Sequence, residues 1–284
     1  MTDAPAWRFA RQRARFCGIA AIAAALALAC WLVAVPLHRE LRRLDARSGT
    51  PQAAGLTGFH DVRIATPDGQ RLDAWWAPPP VPAAGVVLFL HGNPGTLRGT
   101  APHLADVRGI GLGVMAIDYR GFGRSTGQPS EGGVRIDARA AFDWLRRAAP
   151  RSKIAVFGES FGTYPAVALA AERPVAGVLL NAPFASLRRL WMIRGRPTEH
   201  WMAAAPFDSA ALIGRIDAPL LILEGSADTI VPLPEALRLY TAAHPPKAMI
   251  VVRGAGHVAA YRGAAKTRAL AALVRWTETG DARR

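Results

Sequence analysis

The stretch 154–170, IAVFGESFGTYPAVALA, constrains the fold of this chain more than any other segment. Four apolar residues lead into GESFG at 158–162, and an alanine-rich helical stretch follows directly. A short, continuous apolar run is typical of a strand that is buried on both faces. The glycines two before and two after Ser160 predict a sharp turn in which a Cβ atom would crowd its neighbours. Such a turn lifts Ser160 above the sheet edge, which makes it the candidate nucleophile.

A second G-x-S-x-G match, GRSTG at 123–127, centres on Ser125. The motif is short enough to arise by chance in a chain with 27 glycines, so its context must decide. The residues before Ser125 read YRGF, which is not a strand pattern, and QPS follows where a helix would be needed. Context therefore favours Ser160 over Ser125.

Composition permits one large α/β domain. The chain has 284 residues, which allows a substantial core, and its 51% hydrophobic content excludes wholesale disorder. The formal charge of +14 has three explanations, namely nucleic-acid binding, an anionic membrane surface or an arginine-rich composition without a specific partner. No nucleic-acid motif accompanies the charge, so we expect no nucleic-acid partner.

Cysteine usage limits the chemistry. Cys17 and Cys30 both lie in the N-terminal apolar segment, and the remaining residues contain none. Residues 49–284 therefore have no disulfide framework and no cysteine-based metal site, which leaves the redox compartment open. The sequence indicates no metal or organic cofactor, and it leaves the oligomeric state open.

Residues 1–48 are predicted to be a basic segment with a membrane anchor, and residues 49–284 the folded domain. Residues 16–37 carry no charge, and as a helix they would be about 33 Å long, enough to cross a bilayer. A cleaved signal peptide is the alternative, because ALA at 27–29 resembles a cleavage site. The apolar run continues past that point, so we favour an uncleaved, single-pass anchor. Four arginines lie on each side, so the charges do not predict the orientation.

The pattern after residue 58 predicts a mostly parallel sheet. Two strand-like runs, 59–65 and 71–77, flank a Pro-Asp-Gly turn and predict an antiparallel hairpin. From residue 85 onward, buried-strand runs alternate with helical stretches, which indicates a parallel sheet with helices on both faces. The predicted strands are 86–90, 114–117, 154–157, 177–180, 220–223 and 249–252, and the predicted helices are 134–148, 161–172, 233–243 and 259–277.

Three residues that suit acyl transfer follow predicted strands. Ser160, Asp228 and His257 occur in that order, each just past the end of a strand. Ligands bind beyond the carboxyl ends of parallel strands, so we expect these side chains to meet there. A serine nucleophile needs a base to take its proton, and the histidine needs an acid to orient it. Glu224, nearer the strand, is the alternative acid, and we expect it to pack instead.

An oxyanion hole is predicted beside the serine. The backbone N–H groups of Asn93, in the glycine-rich turn after 86–90, and of Phe161, after the nucleophile, are the candidate donors. His91 in the same turn is interpreted as a packed, hydrogen-bonded residue rather than a catalyst. The Asn93–Pro94 bond is a candidate cis peptide.

With these residues in view, the chain from about residue 61 to the C-terminus resembles the α/β-hydrolase superfamily. It is most similar to the membrane-anchored, small-lid branch near the monoglyceride-lipase-like and serine-aminopeptidase-like hydrolases. The residues that carry the resemblance are HGN at 91–93, DYRGFGRS at 118–125, GESFG at 158–162, Asp228 and Gly256-His257. The resemblance implies the α/β-hydrolase fold with an eight-stranded, mostly parallel sheet, and hydrolysis of an ester, thioester or amide through an acyl-enzyme.

Two features depart from the family pattern. Thr163 stands where many members have a second glycine after the turn. The HGNP sequence at 91–94 also looks like haloalkane dehalogenases, but those use an aspartate nucleophile, which Ser160 excludes.

Residues 184–216 interrupt the alternation of strands and helices, at the position where an α/β-hydrolase lid would lie. This insertion mixes arginines with aromatic residues and methionines. We interpret it as a small lid whose aromatic side lines an acyl pocket, so a membrane lipid or another acyl ester is the expected substrate. Thioesterase and peptidase activities of the same fold are alternatives, as is a non-catalytic binding protein of this fold.

Overall fold

The structure, a computed structural model, describes residues 49–93, 95–194 and 205–278. The predicted anchor at 16–37, both cysteines, Pro94 and the centre of the insertion at 195–204 lie outside the described residues. Within the described ranges, no helix is both long and apolar enough to cross a bilayer.

The predicted eight-stranded, mostly parallel sheet is confirmed. The spatial order of the strands is β1-β2-β4-β3-β5-β6-β7-β8. The first two strands form the predicted antiparallel hairpin, β2 pairs antiparallel with β4, and the other neighbours are parallel. The strands are β1 His60–Ala65, β2 Arg71–Ala77, β3 Val86–Leu90, β4 Gly113–Ile117, β5 Ile154–Glu159, β6 Val178–Asn181, β7 Leu220–Gly225 and β8 Lys247–Val252.

The sheet separates two apolar cores, as a doubly covered parallel sheet requires. Val86, Leu88 and Leu90 of β3 pack into the core on one face, whereas Val87 and Phe89 pack into the core on the other. All five residues are buried, which explains why the central strands read as unbroken apolar runs rather than as alternating patterns.

Helices cover both faces of the sheet. Their bounds are α1 Leu97–Gly109, α2 Glu131–Ala148, α3 Thr163–Ala170, α4 Leu187–Arg194, α5 Ala210–Ile213, α6 Leu233–Ala242 and α7 Gly263–Glu278. Two 3₁₀ turns, Gln52–Ala54 and Ser160–Gly162, complete the described elements.

Some helix boundaries differ from the sequence-based prediction. Helix α1 is absent from the sequence-based prediction. It contains Gly99 and Pro102, which have poor helical propensity, and burial of Leu97, Leu104 and Val107 stabilises it nonetheless. Helix α2 begins three residues before the predicted start, because the Ser130 hydroxyl caps it by accepting from the Gly133 N–H at 3.0 Å.

The described parts of the insertion are anchored at its base. Phe184 and Phe207, two of the aromatic residues predicted to line an acyl pocket, are buried. The Phe207 ring centroid lies 5.6 Å from that of Phe161, next to the candidate nucleophile. Arg189 donates to the buried carboxylate of Glu235 at 3.0 Å, so this arginine holds the insertion against α6.

Candidate active site

The carboxyl ends of three parallel strands bring Ser160, His257 and Asp228 together. The Ser160 Oγ lies 2.8 Å from His257 Nε2, and His257 Nδ1 lies 2.7 Å from Asp228 Oδ2. Ser160 follows β5, Asp228 follows β7 and His257 follows β8, so one edge of the sheet positions all three. The result is a continuous hydrogen-bonded chain from a hydroxyl to a carboxylate.

The turn that carries Ser160 is strained and tightly packed. Ser160 has φ of 49°, a left-handed conformation that non-glycine residues rarely adopt. A Cβ on Gly162 would lie 2.0 Å from the Leu90 carbonyl oxygen, and one on Gly158 would lie 2.8 Å from the Ala166 Cβ. Only glycine fits at either position, which is the physical reason for the G-x-S-x-G pattern.

The turn after β3 lies against the serine. A Cβ built on Gly92 would lie 3.2 Å from the Ser160 Cβ, so this turn closes one side of the site. Asn93 is the next residue and is half-buried, and Phe161 directly follows the serine. The assignment of their N–H groups as an oxyanion hole stays a prediction.

Asp228 is held as an acceptor. Its Oδ1 accepts from the backbone N–H groups of Ile230 and Val231 at 2.7 and 2.8 Å, while Oδ2 faces the histidine. Burial raises the pKa of the Asp228 carboxyl, but the hydrogen bonds from His257 and the two N–H groups outweigh burial and lower it overall. The carboxylate is therefore ionised at neutral pH, as a group that orients a histidine must be.

Glu224, the alternative acid, lies in a different environment. It is fully buried at the end of β7, where its Oε1 accepts from the Gly225 N–H at 2.8 Å. Burial, together with the negative charge of Asp228, raises the pKa of Glu224 to about 8. A carboxyl that stays protonated at pH 7 does not supply the negative charge that an imidazolium needs.

Ser125 and His91 have structural partners. The Ser125 hydroxyl donates to the Asp118 carbonyl at 2.6 Å and accepts from the Asp73 N–H at 2.8 Å, which ties its loop to β2. His91 is buried, and its ring lies 4.7 Å from that of Tyr119. His91 therefore matches its interpretation as a packed turn residue.

Sequence reasoning missed three polar residues that lie beside the hydrogen-bonded series of Ser160, His257 and Asp228. Glu159, inside the GESFG motif, pairs with His103 of α1 at 3.1 Å and accepts from Asn181 of β6 at 3.2 Å. His103 and Asn181 lie within 56 residues of Glu159 in the sequence, but they belong to α1 and β6. No spacing rule connects the three residues. The one available signal was an acidic residue directly before the nucleophile.

The arrangement is suited to acyl transfer. The histidine is placed to accept the serine proton at Nε2 while its Nδ1–H donates to an ionised carboxylate. Within residues 49–93, 95–194 and 205–278, no group of three or more His, Cys, Asp or Glu side chains is arranged to bind a metal ion.

Comparisons with known proteins agree with this fold. The alpha/beta hydrolase fold family model matches residues 85–210. An uncharacterized protein of Mycobacterium tuberculosis is 35% identical over 257 residues, which cover 87% of this chain and 89% of that protein.

A lipase is similar to this chain in sequence, and an esterase is similar to it in fold. The lysophosphatidylserine lipase ABHD12 of Macaca fascicularis is 30% identical over 194 residues, which cover 60% of this chain and 48% of the lipase. The match therefore spans about half of the lipase. The solved esterase Pf2001 of Pyrococcus furiosus superposes with a TM-score of 0.68 at 24% identity, over 80% of this chain and 96% of the esterase. The latter likeness shows the fold.

Proposed function

This chain belongs to the alpha/beta hydrolase fold family, and from that premise we propose that it is a serine hydrolase that cleaves carboxylic esters through an acyl-enzyme on Ser160. The observation that carries the proposal is the hydrogen-bonded chain from Ser160 through His257 to Asp228. A protein of this fold that is used only for binding has no need of a serine with a strained backbone hydrogen-bonded to a histidine.

In the proposed reaction, the Ser160 Oγ attacks the ester carbonyl carbon while its proton passes to His257 Nε2. The carbonyl oxygen becomes an oxyanion, to which the N–H groups of Asn93 and Phe161 donate. The C–O bond to the leaving group then breaks, and the alcohol takes the proton from His257. Water repeats the sequence on the acyl-enzyme, with His257 taking the water proton, which releases the acid and restores Ser160.

An acyl ester of lipid character is the proposed substrate class. The family resemblance to a lysophosphatidylserine lipase supports an acyl substrate. The insertion supports it as well, because Met192 and Ile193 of α4 are 71% and 55% exposed, and exposed apolar side chains in an insertion beside the site suit an amphiphile. The exposed Arg188 on the same helix suits an anionic head group.

We expect acyl-chain length to govern turnover. Purified protein should hydrolyse octanoyl or decanoyl p-nitrophenyl esters and monoacylglycerols with a kcat/KM at least about tenfold above that for the acetyl ester, because each buried methylene contributes about 0.8 kcal/mol. The measurement is initial rates below the critical micelle concentration, with Ser160→Ala as the blank. A preference for acetyl over octanoyl esters would remove the lipid-substrate proposal.

The same assay ranks the alternatives. Acyl-thioesters and aminoacyl amides of matched chain length test the thioesterase and peptidase activities against the ester. A fluorophosphonate probe tests whether the protein is a serine hydrolase at all, since labelling requires an activated serine. Wild-type protein that is neither labelled nor active on any of these substrates would favour the non-catalytic binding protein.

We also propose that residues 16–37 anchor the protein in a membrane as a single span, because these 22 residues carry no charge. Full-length protein is expected to stay in the membrane pellet after a wash with about 1 M salt, which screens electrostatic attachment, and after a wash with alkaline carbonate. A fragment of residues 49–284 should appear in the supernatant. Release of the full-length protein by salt alone would contradict the anchor.

A further inference from the structure

A largely buried polar network adjoins the candidate nucleophile and leads to the loop of the candidate base. Its centre is the Glu159 Oε2, which accepts from His103 Nε2 at 3.1 Å and from Asn181 Nδ2 at 3.2 Å. Glu159 and Asn181 are register partners at the ends of β5 and β6, which places their side chains on one face of the sheet. The Glu159 side chain is 16% exposed, so the surrounding residues rather than solvent fix it.

Asn181 connects this carboxylate to the histidine loop. Its Nδ2 also donates to the Val258 carbonyl oxygen at 3.0 Å, and Val258 directly follows His257. Val258 has φ of 53°, a strained conformation for a β-branched residue, and such strain persists only where neighbouring contacts hold it. The Asn181 amide is one of these contacts, so it helps to fix where His257 lies.

The network leaves two buried atoms without partners. His103 Nδ1 and Asn181 Oδ1 make no hydrogen bond to any described residue. Both partners of Asn181 Nδ2 are acceptors, so the amide cannot be flipped to satisfy its oxygen. Unpaired buried polar atoms cost stability, and a fold optimised for stability alone would place apolar side chains here.

Aromatic rings fix His103. Its ring stacks on Tyr261 at 4.9 Å and also packs against Phe89 at 5.0 Å and Phe157 at 5.8 Å. These contacts hold the imidazole with Nε2 directed at Glu159. A rigid donor of this kind holds the carboxylate in place beside the strained serine.

We propose that Glu159, held by His103 and Asn181, is a second positioning carboxylate for His257. Glu159 acts on the histidine electrostatically, through its negative charge, and structurally, through the Asn181–Val258 contact. The inference rests on the proposed serine-hydrolase function and extends it. Asp228 orients the imidazole through Nδ1, while Glu159 adds a negative charge from the side of the turn that carries Ser160. Both charges favour the imidazolium that forms when the serine proton is transferred.

The charges around His257 support this role. Burial raises the pKa of Glu159, but the hydrogen bonds from His103 and Asn181 and the charge of His257 outweigh it, so the pKa is lowered overall and Glu159 is ionised at neutral pH. Among the described residues, Asp228 pairs with His257, Glu224 interacts with Asp228, and His103 stacks on Tyr261 beyond Glu159. Asp106, farther out, is paired with Lys266 at 2.6 Å.

The test is a pH–rate profile of Glu159→Gln. Both hydrogen bonds go to one oxygen of Glu159, so the glutamine oxygen can accept both and only the charge is lost. Loss of this negative charge removes electrostatic stabilisation of the imidazolium that forms during proton transfer. We expect the acid limb of the kcat/KM profile to move to lower pH by about half a unit, and the plateau kcat/KM to fall about threefold to tenfold. Asp143→Asn, which removes an exposed carboxylate paired with Arg173 at 3.4 Å, should leave the profile unchanged.

A second variant separates the contact from the charge. Asn181→Ala keeps the Glu159 charge but removes the donor to Val258, so kcat should fall about tenfold at nearly constant KM, with a smaller shift of the acid limb than in Glu159→Gln. A thermal unfolding curve of each variant checks that the protein is folded at the assay temperature.

Two results would overturn the inference. One is a Glu159→Gln profile and rate that superimpose on those of the wild type; the other is an Asn181→Ala kcat within about twofold of the wild type. Either result leaves the serine-hydrolase proposal standing, provided that Ser160→Ala is inactive. An unlabelled, inactive wild-type protein removes both proposals.

Discussion

Replacing Ser160 with alanine should abolish ester turnover and fluorophosphonate labelling, with a loss in kcat/KM of at least about 10⁴-fold. The reason is that no other described hydroxyl lies within hydrogen-bond distance of His257 Nε2, so no other serine can lose its proton to that base. The variant should fold, because alanine fits the space of the serine and the substitution removes only the hydroxyl group. Steady-state rates, probe labelling and thermal unfolding of the purified variant provide the measurement.

Ser125→Ala is the matched control, since Ser125 lies in the second G-x-S-x-G motif. This variant should keep most of the turnover and labelling, but it should lose about 1–2 kcal/mol of stability, because the Ser125 hydroxyl bridges Asp118 and Asp73. An inactive Ser125→Ala beside an active Ser160→Ala would show that the nucleophile had been assigned to the wrong motif.

His257→Ala should lower kcat by about 10⁴-fold or more, and Asp228→Asn by about 10³–10⁴-fold. Alanine removes the base itself, whereas asparagine keeps the shape of the acid but loses the charge that stabilises the imidazolium and favours the wrong tautomer. Asp228 also accepts from two backbone N–H groups, and the asparagine oxygen can keep those bonds, so the variant should fold. Burst and steady-state kinetics on one ester separate the loss of chemistry from a change in binding.

Glu224→Gln distinguishes the two candidate acids. Its turnover should stay within about threefold of the wild type, because the buried Glu224 carboxyl is already neutral at pH 7. The pKa in the folded protein is about 8, above the ordinary value of 4.5, so the folded state binds the proton more tightly than the unfolded state does. Wild-type stability therefore falls as pH rises from about 4.5 to about 8, and glutamine removes this loss.

Denaturant unfolding at pH 5 and pH 8.5 measures the effect. The stability of Glu224→Gln relative to the wild type should increase between these two pH values, by an amount on the order of a few kcal/mol. A Glu224→Gln variant that loses more activity than Asp228→Asn at equal stability would transfer the acid role to Glu224.

The chemistry of the site was predictable because its residues are adjacent in sequence to strand ends. An unbroken apolar run identifies a strand buried on both faces, and the residue after such a strand must lie at the carboxyl edge of the sheet. Ser160 and Asp228 each follow a strand buried in this way, whereas His257 follows β8, an apolar run at the sheet edge that is only partly buried. Their approach was therefore expected before any distance was known, and the distances of 2.8 and 2.7 Å agree with it.

Helix α1 was not predictable in the same way. Its sequence contains Gly99 and Pro102, and both have poor helical propensity. The helix forms because Leu97, Leu104 and Val107 bury against the sheet, a gain that exists only when β3 and β4 are already in place. Local propensity carries no information about that contact, and α1 is also the element that brings His103 to Glu159.

The sequence by itself determined the strand order along the chain, the turn that presents Ser160 and the two partners that follow later strands, because each depends on patterns within a few residues. Only the tertiary structure decided which carboxyl is charged and which side chains lie behind the histidine. Glu224 and Asp228 are four residues apart and chemically alike, yet burial keeps one protonated and hydrogen bonds keep the other ionised. Charge states depend on solvent exclusion and on partners from other elements, such as His103 and Asn181 around Glu159, and those are properties of the packed fold rather than of any one segment.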